Sequence, residues 1–106
     1  MLYEFRTYRA SQGKFEALNR RMRELSWPLM KRLGFRQVGC WIPEGSDDQL
    51  VYLLSWKDRA ASEAGWQAFL SHPDWIAGKA ATDADGPLLA SGSAVFWTPT
   101  DYAPGS

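Results

Sequence analysis

The sequence predicts an α+β fold of ferredoxin-like β-α-β-β-α-β order, and three observations carry that expectation. Segments of alternating or β-branched and aromatic character lie at 2–8, 35–42, 49–56 and 93–98. Between them run two longer stretches whose apolar residues recur every three or four positions, the helical period. Finally, the strands carry large apolar residues at adjacent positions, so both faces of the sheet are apolar. Two helices cover only one face of four strands. A second copy packed sheet to sheet, in a two-fold dimer with a barrel-like interior, is the economical cover for the other.

The opening LYEFRTY sets Tyr3, Phe5 and Thr7 on one face and Leu2, Glu4, Arg6 and Tyr8 on the other. SQGK turns the chain, with Ser11 available as a helix cap and Gly13 marking the start of the next element. From Phe15, the residues Leu18, Met22, Leu25, Leu29 and Leu33 form one apolar helical stripe. Pro28 interrupts it: proline has no N–H and its ring clashes with the carbonyl four residues back, which predicts a kink or a restarted turn near 24–27. Gly34 supplies the stop.

FRQVGCWI (35–42) reads as the second strand and QLVYLLSW (49–56) as the third, joined by the loop PEGSDD as an antiparallel hairpin. In the third strand Val51, Leu53 and Ser55 oppose Leu50, Tyr52, Leu54 and Trp56. Lys57 and Asp58 lead into a second helix with Trp66, Phe69 and Leu70 on its buried side, although Gly65 costs about 1 kcal/mol relative to alanine. HPDW (72–75) starts a further helix, with Pro73 in its first turn and Asp74 near its positive end. SAVFWT (93–98) is the fourth strand. A domain over 1–99 and a tail over 100–106 follow.

Length and charge narrow the function. A chain of 106 residues builds one modest core. Twelve Lys and Arg balance twelve Asp and Glu, so no overall field steers the chain onto a polyanion, and nucleic acid is not an expected partner. Neither a basic leader nor an apolar run near 20 residues is evident, so a cytoplasmic protein without membrane insertion is expected. The lone Cys40 cannot form an internal disulfide, and a small buried residue is its expected role. Six Trp in so short a chain need a core, an interface or a ligand to cover them.

Taken together, LYEFRTYR with QGK, LGFRQVGCW, LVYLLSWKD, HPDW and the closing PT with YAP resemble the NIPSNAP family, a branch of the dimeric α+β barrel superfamily. The resemblance covers nearly the whole chain. It implies a homodimer of ferredoxin-like subunits with a cavity between sheet and helices or within the barrel. It does not imply a reaction, because the wider superfamily resembles cofactor-free monooxygenases, isomerases, decarboxylases, haem-dependent enzymes and proteins without known chemistry. NIPSNAP-like sequences often have histidine where this chain has Tyr52 and tryptophan where it has Leu54. They also commonly read histidine-glycine before the proline, where this chain reads Ser26-Trp27-Pro28.

Five residues are candidates for catalysis. Glu4, Arg6 and Tyr8 alternate on one strand face, either as a polar patch that polarises a carbonyl or holds a carboxylate, or as a structural ion-pair network. Tyr52 could donate to an oxyanion. His72 is the only histidine, a general base or a helix-start residue. Phe35, Trp41 and Trp56, with Tyr52, could wall an aromatic substrate pocket or serve as core and interface, and Trp27 could cover its mouth or the partner subunit. No metal or cofactor is expected, since no cysteine pair, HExxH, GxGxxG or GxxxxGK occurs. The function expected is a small-molecule enzyme acting on a hydrophobic, oxygen-bearing substrate by acid/base or cofactor-independent oxidative chemistry: a monooxygenase, isomerase or cyclase. The alternative is a noncatalytic ligand-binding or scaffolding homodimer.

Overall fold

The computed structural model describes residues 1–103, so the end of the expected tail, 104–106, lies outside the described residues. The elements are β1 (Leu2–Ala10), α1 (Phe15–Arg21), a π-helical segment (Met22–Ser26), α2 (Trp27–Arg32), β2 (Arg36–Trp41), β3 (Gln49–Trp56), α3 (Arg59–Ser71), α4 (Pro73–Thr82) and β4 (Leu89–Trp97). The four strands form one antiparallel sheet in the order β2-β3-β1-β4, the ferredoxin-like arrangement.

One sheet face is covered by helices. Leu50, Tyr52, Leu54 and Trp56 of β3 pack with Met22, Leu29, Met30, Phe35 and Phe69 in the main core. The register puts Glu4 between Leu54 and Phe96, and Arg6 between Tyr52 and Ala94, so the charged face of β1 points toward the helices. The other face is bare. There Phe5 stacks on Trp97 at a centroid distance of 5.2 Å, and Val95 and Trp97 remain 47% and 51% exposed.

The long first helix shows how Pro28 is accommodated. The π-helical segment inserts one extra residue per turn just before it, with the Trp27 N–H reaching the Met22 carbonyl, and α2 restarts with Pro28 in its first turn, where a missing N–H costs little. Leu18, Met22 and Leu29 are buried as the stripe expects, but Ser26 and Met30 also turn inward and Leu25 is only half-buried. The expected stripe through Leu25 is corrected in this way.

Three other expectations change. Ser11 does not cap α1 with its side chain; its carbonyl accepts from Lys14 N–H in a turn that Gly13 completes at φ +75. Strand β4 begins at Leu89, four residues before the expected Ser93, because Gly92 and Ser91 pair with Tyr8 and Arg9 although their small side chains give no strand pattern. Cys40 is exposed on edge strand β2 instead of buried. Asp58 caps α3 by accepting from Ala61 N–H at 2.8 Å. Among the described residues no helix is long and apolar enough to cross a membrane.

Candidate functional site

The site is built around a carboxylate that is almost wholly buried. Glu4 lies mid-strand in β1, 1% exposed, and a charge so placed is tolerated only with partners. Its Oε1 accepts from Trp56 Nε1 at 2.9 Å and Ser62 Oγ at 2.9 Å, and its Oε2 accepts from Arg6 Nη1 at 2.7 Å. Trp66 Nε1 donates to both oxygens, at 3.0 Å each. Carboxylate lone pairs number about four, so this group is fully engaged. Ser62 and Trp66 stand one turn apart on α3, which locks that helix to β1.

Arg6 is held by this network but not exhausted by it. Its guanidinium lies across the Trp66 ring, 4.4 Å from the centroid, and 5.6 Å from the Tyr8 centroid. Nε is buried with no hydrogen-bond partner among the described residues, and the side chain keeps 23% exposure. Burial alone would push its pKa down, but Tyr8, Tyr52 and the Glu4 hydrogen bond outweigh that and hold it above the usual arginine value, so the cation is permanent. Beside it the Tyr8 and Tyr52 hydroxyls are 2.7 Å apart. Burial, then the Tyr8 neighbour, raises the Tyr52 pKa.

Arg6 and Tyr8 form part of the floor of a cleft of about 540 Å³ between the sheet and the helices, a volume in the range of small-molecule sites. Its walls are largely apolar, among them Met22, Met30, Trp66, Phe69 and Trp75. The helix-facing residue of β4 next to Arg6 is Ala94, too small to fill the space, whereas at Gly92 the Tyr8 ring lies where a side chain would stand, 3.3 Å from a Cβ built there. Elsewhere along the cleft, Asp83 bridges Arg21 and Lys79 at 2.8 Å each. Burial works against the ionised Asp83, but the hydrogen bonds from Lys79, the Leu88 N–H and Arg21 win, and its pKa falls to about 2. On β4, the Arg59 guanidinium sits 3.7 Å over the Phe96 ring.

The structure brings Glu4, Arg6, Tyr8, Tyr52 and Trp56 together, but in different layers. Glu4, Arg6 and Tyr8 line the cleft; Tyr52 and Trp56 lie behind it, 0% and 8% exposed. Phe35 packs edge-on against Trp56 and Trp66 within the core. Trp41 does not join an aromatic box with Phe35, Tyr52 and Trp56: β2 is an edge strand, and its Trp41 lines a separate groove of about 330 Å³ with Trp27, Cys40 and Leu50. The Trp27 ring also meets Tyr52 edge-on at 5.9 Å. His72 is outside the cleft lining. It caps α4, its Nδ1 accepting from Asp74 N–H at 3.0 Å. Among the described residues no three His, Cys, Asp or Glu side chains converge as a metal site requires.

Sequence reading missed Ser62, Trp66, Arg59 and Phe96. A signal was present for the first two: a hydroxyl and an indole N–H at i,i+4 on one helix face are a donor pair suited to a strand carboxylate. Arg59 and Phe96 meet only through the tertiary fold.

The NIPSNAP family model matches residues 3–104, and the chain belongs to that family. None of the functionally curated proteins matches. A NIPSNAP domain protein from Burkholderia xenovorans is similar in structure at TM-score 0.81 and 23% identity, covering 98% of this chain and 99% of the other. A NIPSNAP family protein from Agrobacterium tumefaciens is similar at TM-score 0.84 and 19% identity, covering 99% and 98%. A structure described as an antibiotic biosynthesis monooxygenase is similar at TM-score 0.66 and 14% identity, covering 94% and 99%. At these identities the likeness shows the shared ferredoxin-like fold.

Proposed function

We propose that the chain is a small-molecule enzyme that acts on a hydrophobic, oxygen-bearing organic substrate in the cleft over β1 and β4, with chemistry carried by side chains. The observation behind this reading is the under-used Arg6 guanidinium, a fixed cation on the floor of an apolar cleft. A preorganised cation in a water-poor site is worth most where negative charge develops on an oxygen. For a ketone substrate, a proton leaves the carbon beside the carbonyl for a water molecule, the C–H electron pair becomes the C=C bond of the enolate, and the C=O π pair moves onto the oxygen. Arg6 and the Tyr8 hydroxyl hold that oxyanion. Glu4, with every acceptor position occupied, positions Arg6 and Trp66 and does not take the proton. Such an enolate is also the electron-rich species that cofactor-independent oxidation by dioxygen requires, and the fold likeness to a monooxygenase makes dioxygen a co-reactant to include in the assay.

The test is deuterium exchange at the methyl group of 2-acetylnaphthalene in heavy water, followed by proton NMR under nitrogen and under air. The wild-type chain should accelerate exchange, and Arg6→Lys should reduce the acceleration by about 10- to 100-fold, the range for a lost charge-assisted contact. Binding without any exchange or oxidation would favour the second reading, a noncatalytic ligand-binding dimer. Two observations support that alternative: Glu4 is fully engaged, and His72 lies outside the cleft.

Self-association and a cytoplasmic setting are part of the same reading. The bare sheet face, with Phe5, Val95 and Trp97 in the open, is suited to a second copy of itself.

A further inference from the structure

Charge and shape in the cleft narrow the ligand further, on the assumption that the cleft is the working site. Its lining holds Arg6, Arg21, Arg59 and Lys79 against Glu4, Glu63 and Asp83, an excess of one positive charge. Arg21 and Lys79 share Asp83, and Arg6 is paired to Glu4 through Nη1 alone. Arg59 has no ion-pair partner among the described residues; its contact is the face of Phe96. Both under-used guanidiniums therefore lie on or beside β4 neighbours, Arg6 across from Ala94 and Arg59 over Phe96, two residues along the same strand face. The rings of Trp66, Phe69, Trp75 and Phe96 are among the side chains that line the cleft.

From this we infer that the cleft takes a flat, apolar monoanion, a carboxylate or a phenolate, with its oxyanion on Arg6 and with Arg59 drawing it in from the Phe96 end. An uncharged molecule of the same shape offers no counter-charge to the excess cation of the lining, and a dianion exceeds the charge available. Carboxylate and phenolate sources share this chemistry and are separated by pH: a naphthoate is ionised throughout the neutral range, whereas a naphthol ionises only near pH 9 to 10, as phenols do, at about the tyrosine value.

Isothermal titration calorimetry on the intact chain provides the test, with 2-naphthoate, 2-naphthalenemethanol and naphthalene-2,6-dicarboxylate at pH 7 and 2-naphthol at pH 7 and pH 9.5. The expected result is 2-naphthoate at least about tenfold tighter than the alcohol, the size of one charge-assisted hydrogen bond, and tighter than the dicarboxylate. Naphthol tightening at the higher pH identifies a phenolate as an accepted source; naphthol unchanged restricts the ligand to carboxylates. Arg59→Gln, at the exposed start of α3, should weaken 2-naphthoate several-fold and leave the alcohol unchanged. Ala94→Phe fills the floor beside Arg6 and should abolish binding of every probe while circular dichroism and the melting temperature stay near wild type. Equal affinity for 2-naphthoate and the alcohol, both lost in Ala94→Phe, overturns the monoanion inference and leaves the cleft as a small-molecule site. Absence of binding by every probe at millimolar concentration overturns the inference together with the reading beneath it.

Discussion

Trp66 donates one indole N–H to both oxygens of Glu4, and the same ring carries the Arg6 guanidinium on its face. Helix α3, strand β1 and the cation of the cleft are thereby tied to a single carboxylate. Removing it leaves Arg6 and three neutral donors without their acceptor. Breaking a buried pair from one side costs about 3 to 5 kcal/mol, far more than the pair contributes when intact. Glu4→Ala should therefore lose roughly that much stability in urea unfolding, and Glu4→Gln, which keeps one acceptor oxygen but loses the charge, should lose less. A Glu4→Ala variant as stable as the wild type would show that the network is ornamental.

Trp66→Phe separates positioning from stability. The ring volume and the stacking under Arg6 are largely kept, but the shared N–H is lost, so the cost should be near 1 to 2 kcal/mol, one hydrogen bond plus a small packing defect. Because Arg6 then has one fewer constraint on its partner carboxylate, the 2-naphthoate affinity should fall more than the alcohol affinity does. A uniform loss for both probes would assign Trp66 to the wall alone.

Asp83 gives the protein an acid-sensitive contact. Its pKa in the folded chain is about 2 against an ordinary value of 3.8, so the unfolded chain binds the proton first as pH falls. Its stabilisation is fully present above pH 4 and is lost progressively as pH drops through the folded value near 2. Asp83→Asn should thus lower stability at pH 6 and narrow the gap to the wild type as pH approaches 2. Chemical denaturation at pH 6, 4, 3 and 2 checks the sign, and a gap that widens on acidification contradicts it.

The element order was legible because it depends on hydrophobic period, which β1 and β3 announce plainly, whereas on α3 the expected buried side fails at Leu70, 59% exposed. Strand β4 was half legible: Val95 and Trp97 look like strand, whereas Gly92 and Ser91 are strand only because β1 offers them a ladder. The small residue that lines the cleft on this strand, Ala94, lies within the part of β4 that the pattern already marks as strand. Glu4, Arg6 and Tyr8 could be picked from sequence as polar residues on an otherwise apolar strand. Their partners could not, since Ser62 and Trp66 lie about sixty residues away and the pairing is set by how α3 crosses β1. Trp41 and His72 stand out in the sequence by residue type, and residue type does not say that β2 is an edge or that a histidine before proline will spend its Nδ1 on a helix cap.

The bare sheet face makes a prediction about mass. Trp97 is half exposed and stacked on Phe5, and Val95 is nearly as open, in a face that water covers poorly. If a second copy covers it, Val95→Lys together with Trp97→Lys should place like charges across the two-fold axis and yield a folded particle of about 12.0 kDa in sedimentation equilibrium, with the wild type at twice that mass. A wild type that sediments as a monomer at high micromolar concentration removes the dimer from the proposal and leaves the cleft untouched.

Gly65 offers a test in which helix propensity and packing point in opposite directions. In an exposed helix, replacing glycine by alanine stabilises by about 1 kcal/mol, and sequence reading alone expects that gain here. The structure reverses the sign. A Cβ at Gly65 would come within 2.5 Å of the Trp56 ring and 3.3 Å of Phe35, where α3 passes close over β3. Trp56 cannot swing away freely, because its indole N–H is bonded to Glu4 and its ring is packed edge-on against Phe35 at 4.8 Å. Overpacking of a fixed aromatic costs about 1 to 3 kcal/mol, enough to cancel the propensity gain and exceed it. Gly65→Ala should consequently lower the melting temperature, and Gly65→Ala combined with Trp56→Phe should recover part of the loss, since the smaller ring yields space even as Glu4 gives up a donor. A Gly65→Ala variant more stable than the wild type would place α3 farther from the sheet than it stands here, and with it Ser62 and Trp66 out of reach of Glu4.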